Sequence, residues 1–106
     1  MPFLNLATQK TKEIWPQVFA SVGHSDKMTV ARVALAKGAV VGEHKHPHEQ
    51  WTIMIEGELE FTLSGKTEIV RPGMVVHIPS NEPHSVKALS ASLAMDVFCP
   101  VREDFK

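Results

Sequence analysis

The stretch Gly38-Ala-Val-Val-Gly42-Glu-His44-Lys-His46-Pro-His48-Glu-Gln50, closed by Gly57, decides how this 106-residue chain is read. On extended backbone, side chains alternate between faces, so His44 and His46 point the same way and Gln50, an even number of residues on, can reach that face. Imidazole suits zinc, nickel, iron or copper, and a neutral amide oxygen can complete such a shell. A second segment, Gly73-Met-Val-Val-His77-Ile-Pro79-Ser-Asn81-Glu-Pro83-His84, lies downstream and can supply a fourth ligand. The pair of segments predicts a metal site inside a small β-barrel.

The flanking sequence supports a β fold. Runs at Met28–Ala36, Trp51–Glu56, Leu59–Leu63, Thr67–Val70, Met74–Ile78, His84–Ala88 and Ser92–Phe98 read as strands. Gly57-Glu58 and Ser64-Gly65-Lys66 read as hairpin connections, and Pro72-Gly73 and Pro79-Ser-Asn81-Glu-Pro83 as turns. Short strands with this punctuation argue for a sandwich or barrel. Residues 1–24 read as irregular, with a short turn or strand at Thr11-Lys-Glu-Ile-Trp15 that Pro16 interrupts.

Composition narrows the function classes. The length suits one domain over residues 1–106, and 43% hydrophobic residues with a net charge of -1 describe an ordinary globular chain. There is no basic surplus for a nucleic-acid or anionic-membrane partner, and the apolar runs are too short and interrupted for a transmembrane helix. The N-terminus lacks the pattern of a signal peptide, and the lone Cys99 excludes an internal disulfide; together they predict a reducing, cytoplasmic setting.

With these residues in place, the chain resembles the cupin superfamily. That family's first motif, G-x5-H-x-H-x3,4-E-x6-G, is filled by Gly38, His44, His46, Gln50 and Gly57, with Gln50 in place of the usual glutamate. The second, G-x5-P-x-G-x2-H-x3-N, is met by Gly73, Pro79 and His84; Asn81 stands at the middle glycine and Ala88 at the final asparagine. Asn81 suits a position that calls for positive φ. The motifs span residues 38–88, and the resemblance implies a double-stranded β-helix, or jelly-roll barrel, with the metal inside.

The remaining strand and tail, residues 92–106, sharpen the likeness. Asp96 and Phe98 share one strand face, and Arg102 lies just past Pro100. With the ligand set and the short chain, this is similar to the small cupins of the KdgF family, which linearise 4,5-unsaturated monouronates from pectin and alginate. The resemblance implies one divalent transition metal (nickel, zinc, manganese or iron) on His44, His46, Gln50 and His84. It also implies Asp96 and Arg102 as catalytic residues, Phe98 and Arg102 in substrate binding, an anionic sugar acid as the small-molecule partner, and a homodimer. Two other classes stay open: a metal-dependent cupin oxygenase, and a cupin that binds a sugar or metabolite without turnover.

Plainer readings stand beside several of these residues. Asp96 and Arg102 could form an ion pair that only fastens the tail. Phe98 could be core packing, and Gln50 could support a ligand histidine rather than coordinate. His48, next to Pro47, reads as a rim residue, and His77 as a hydrogen-bonded barrel or interface residue. Trp51 reads as packing, and Phe61 and Met95 as core or cavity wall. Cys99 reads as a buried, inert thiol and Glu103 and Asp104 as solvated tail charges.

Overall fold

Alternation of apolar and polar side chains builds two antiparallel sheets. The computed structural model describes residues 3–106, with ten strands among them. They are β1 (Lys12–Trp15), β2 (Val18–His24), β3 (Thr29–Leu35), β4 (Val40–His44), β5 (Glu49–Glu56), β6 (Leu59–Leu63), β7 (Lys66–Val70), β8 (Val75–Ile78), β9 (His84–Ala88) and β10 (Ser92–Cys99), followed by a one-turn 3-10 helix, Glu103–Phe105. One sheet has the order β1-β2-β3-β10-β5-β8 and the other β4-β9-β6-β7. The fold is the all-β jelly roll that the motifs imply.

The inner faces of the sheets share one apolar core. Strand β3 buries Thr29, Ala31, Val33 and Leu35 and turns Val30, Arg32 and Ala34 the other way. Strand β10 buries Ala94 and Phe98 from the same sheet, while Leu59 and Phe61 on β6 reach in from the other. Each such aliphatic or aromatic side chain contributes about 1.5–3 kcal/mol when taken out of water. The same period of two on β5 sends Gln50, Thr52 and Met54 inward and leaves Trp51, Ile53 and Ile55 on the outer face.

The turns couple the two motif segments. Asn81 adopts φ 63, as its place in the second motif requires, and its backbone N–H donates to the His46 carbonyl at 2.8 Å. The Ser80 hydroxyl donates to the Pro47 carbonyl at 2.6 Å. The loop before β9 thus holds the loop between β4 and β5, and the histidine-bearing segments are fixed relative to one another.

Several sequence expectations need correction. Residues 18–24 are not irregular: β2 lies between β1 and β3, buries Val18 and Ala20 against the core and hides Ser21 beneath Leu6, whose carbonyl accepts its hydroxyl at 2.7 Å. Gly23 and the polar residues in this run mask its strand character. The extended stretch read through His44 and His46 is a strand only over residues 40–44, paired with β9, and His46 lies in the loop that follows. Gly57-Glu58 is no hairpin: β5 pairs with β10 and β8, whereas β6 lies in the other sheet, so this turn carries the chain from sheet to sheet. The β6–β7 hairpin turns on Ser64-Gly65 alone, with φ 49 and 83. Cys99 is exposed, because the alternation that points Phe98 inward points its neighbour out. For the same reason Met95 faces outward and is no cavity wall, whereas Phe61 is one.

Candidate functional site

A cavity of about 320 Å³ opens between the sheets, a size at the lower end of the range for small-molecule sites. His44 from the end of β4, His46 from the following loop, Gln50 from β5 and His84 from the start of β9 all line it. The ring centroids of His44 and His84 are 4.3 Å apart, those of His46 and His84 4.9 Å. One ligand nitrogen from each of the three histidines lies within 4.8 Å of the other two, so the group could hold a metal ion.

Backbone carbonyls fix which nitrogens these are. Nδ1 of His44 is 2.9 Å from the Gly42 carbonyl, Nδ1 of His46 is 2.9 Å from that of His48, and Nδ1 of His84 is 2.9 Å from that of Glu82. A carbonyl only accepts, so each Nδ1 carries the proton and each Nε2 keeps a lone pair. Burial, helped by the Arg102 charge, lowers the pKa of His46, and burial pushes His84 down to about 4; both rings are neutral near pH 7. Neutral imidazoles with free Nε2 lone pairs are the state a metal ligand requires.

Gln50 joins the group through its amide oxygen. The side-chain order is Gln50 Nε2 donating to Thr52 Oγ1 at 3.0 Å, and Thr52 Oγ1 donating to Asp96 Oδ1 at 2.7 Å. Because the Asp96 carboxylate accepts, Thr52 must donate to it and receive from Gln50, which turns Oε1 of Gln50 toward the histidines. Oε1 lies 3.0 Å from His46 Nε2. With the His46 proton on Nδ1, both of these atoms are acceptors, and together they offer two lone pairs to a cation. The donor set fits a divalent transition metal.

Strand β10, beside β5, and the tail after it bring further groups to the cavity. Asp96 is half-buried; loss of hydration pushes its carboxyl up to about 6, against the pull of Thr52, Gln50 and Arg102. Phe98 presents its ring edge to His46 at 5.9 Å between centroids. Arg102 lines the same cavity but does not pair with Asp96; its Nε and Nη2 donate to Asp104 at 2.9 and 2.7 Å. The ion-pair reading of Asp96 and Arg102 is therefore replaced by a pair within the tail, and Asp104 is not simply a solvated charge.

The sequence reading missed Trp15, Thr52, Asp104 and Phe105, all of which line the cavity. Trp15, brought in by the edge strand β1, lies 5.4 Å from the His44 ring. Thr52 had a signal, its shared face with Gln50; Trp15 had none, since β1 reaches the cavity only through its pairing with β2. His48 offers its carbonyl and keeps its ring out of the cavity, and exposed His77 bonds Glu49 at 2.6 Å on the outer face.

Comparison with known proteins agrees with this fold. The Cupin domain family matches residues 31–100. The pectin degradation protein KdgF of Dickeya dadantii (strain 3937) is 35% identical over 83 residues, which is 76% of each chain. The structure of KdgF from Halomonas sp. superimposes with a TM-score of 0.90 at 27% identity, covering 98% of this chain and 96% of that one. An RmlC-like cupin from Shewanella frigidimarina NCIMB 400 shares the fold, with a TM-score of 0.93, 23% identity and coverage of 98% and 95%.

Proposed function

The chain belongs to the cupin domain family and, within it, to the family of the pectin degradation protein KdgF; from that premise we propose that it catalyses metal-dependent linearisation of 4,5-unsaturated monouronates from pectin or alginate breakdown. The observation that carries this reading is the composition of one cavity. Three histidines and an amide oxygen converge there, and a carboxyl and a phenyl ring from β10 and a guanidinium from the tail line the same cavity. A cytoplasmic setting, read from the lone cysteine, belongs to the same proposal. No helix among the described residues is long and apolar enough to cross a membrane.

The chemistry follows from the substrate. Its ring oxygen is part of a vinyl ether beside a carboxylate. Removing the O1 proton forms the C1 aldehyde as the bond from C1 to the ring oxygen breaks, and the electron pair moves onto that oxygen as an enolate. Protonation at C4 then gives the linear ketone. The net change is one proton moved from O1 to C4, with no redox step and no water consumed.

Asp96 carries that proton. A carboxyl held near 6 can take a proton and release it again close to neutral pH. The Arg102 guanidinium grips the substrate carboxylate through two parallel hydrogen bonds, and Phe98 supplies an apolar wall against the ring. Lewis-acid stabilisation of the developing enolate is what a divalent transition metal on His44, His46, Gln50 and His84 supplies when bound.

The test is proton NMR of freshly generated 4,5-unsaturated galacturonate with metal-loaded protein and with protein stripped by a chelator. Ring alkene and anomeric signals should disappear faster, with linear ketone appearing, only in the loaded sample. Asp96→Asn with its metal content unchanged should lose about a hundredfold or more of that rate. Progress at the spontaneous rate with loaded protein would overturn the proposal and bring forward the oxygenase and binding readings.

A further inference from the structure

Arg102 is held from more sides than a tail residue needs, and the way it is held leaves one edge free. Its side chain is 12% exposed, while that of Asp104 is 58% exposed, so the guanidinium is the more sheltered member of the pair. The two bonds donated to Asp104 take up Nε and one hydrogen of Nη2. Among the described residues, Nη1 has no hydrogen-bond partner. What remains is the end-on edge, one N–H on Nη1 beside the second N–H on Nη2, the fork that matches a carboxylate.

Two rings fix the plane of that fork. Phe98 and Phe105 are perpendicular, at 89° with centroids 5.6 Å apart, and form a corner. The guanidinium carbon of Arg102 lies in it, 4.7 Å from the Phe98 centroid and 4.1 Å from that of Phe105. The backbone adds a further hold, since the Arg102 N–H donates to Thr29 Oγ1 at 2.9 Å. An unrestrained arginine gives up rotamer entropy when a ligand fixes it. Here that ordering is done by the chain before any ligand arrives.

We propose that Asp104 and Phe105 are positioning residues that present the free edge of Arg102 to the cavity as a receptor for the carboxylate of the substrate. This deepens the reading of the cavity as a uronate site and rests on it. Asp104 is no plug, because a ligand at the free edge does not have to displace it. The Arg102 hydrogen bonds lower the Asp104 pKa, which keeps the clamp charged at neutral pH. Its neighbour Glu103 is engaged elsewhere, with Lys106 at 3.3 Å, so Asp104 is the acid of this turn that faces Arg102.

The experiment compares D-galacturonate with D-galactose, its counterpart without the carboxylate, by isothermal titration calorimetry on the metal-loaded protein. The unaltered protein should prefer the acid. Asp104→Ala and Phe105→Ala should each weaken galacturonate binding about tenfold, well beyond any change in galactose binding, and retain the metal content. Asp104→Glu should restore part of the preference, and Asp104→Asn, which keeps the shape and gives up the charge, should fall between. Galacturonate bound by Asp104→Ala as tightly as by the unaltered protein, or more tightly, would overturn the inference while leaving the substrate class intact. Equal binding of the two sugars by the unaltered protein, or no loss in Arg102→Ala, would overturn the substrate class and the inference with it.

Discussion

Asp96 is the residue at which the proposed function and stability pull apart. Its folded carboxyl sits at about 6 against an ordinary 3.8, with burial as the leading cause. The native state therefore binds this proton more tightly than the unfolded chain does. Below about pH 4 both states are protonated and nothing is lost; as pH rises from 4 to 6 the native state must ionise a poorly hydrated acid, and above 6 the penalty is complete, about 3 kcal/mol. Urea unfolding of metal-free protein should accordingly show Asp96→Asn more stable at pH 7 by about 1–3 kcal/mol, with the gain vanishing near pH 4. A variant less stable at pH 7 would show that Thr52, Gln50 and Arg102 already compensate the burial. Much of this site is legible in the sequence: His44, His46, Gln50, His84 and the paired faces of Asp96 and Phe98 follow from motif spacing and strand alternation. Asp104 was not, because an acid in Arg-Glu-Asp-Phe reads as solvated until the chain turn shows which of two neighbours faces Arg102.

At the scale of elements, glycines at turns are not interchangeable. Gly57 has φ 83, and a Cβ there would sit 2.5 Å from the Ala91 carbonyl oxygen and crowd Ser92 as well. Gly73 has φ 94, but a Cβ would meet nothing within 4 Å. Alanine at Gly73 should therefore cost only the left-handed backbone conformation, about 1–2 kcal/mol. Alanine at Gly57 adds a clash with backbone at the point where the chain leaves one sheet for the other, and should cost well over twice as much, measured as the difference in urea midpoints. Similar losses at the two positions would mean that the β5–β6 corner yields easily. The sequence marks both glycines as turns but cannot tell a hairpin from a corner, since that depends on partners far along the chain: β5 finds β10 and β6 finds β9. The same dependence hid β2, whose Ser21 and Gly23 look like loop residues until β3 pairs beside them.

For the whole molecule, the outer face of the six-stranded sheet is the surface left to explain. Trp51, Ile53 and Ile55 of β5 stand beside Leu93, Met95 and Val97 of β10, with Ile53 opposite Met95 and Trp51 opposite Val97. Val75 extends the patch across β8 and Val30 across β3. Trp51 is 43% exposed on this face. Side chains scattered singly would need no account, but adjoining apolar side chains on neighbouring strands, edged by Arg32 and His77, make a place where a protein meets a partner. The homodimer that the family resemblance implies would be closed through this face. A single patch that meets itself gives a closed twofold dimer. The patch also lies on the opposite side of the sheet from Gln50, Thr52, Asp96 and Phe98, so association through it leaves the cavity lining untouched. Light scattering coupled to size exclusion should return twice the chain mass of 11.7 kDa. Ile53→Glu, a charge placed where the folded monomer meets water, should return a monomer with unchanged metal content. A monomer from the unaltered protein at high concentration would leave the face to a different partner. A dimer that survives Ile53→Glu would place the contact elsewhere, with β1, the other edge of this sheet, as the next surface to probe.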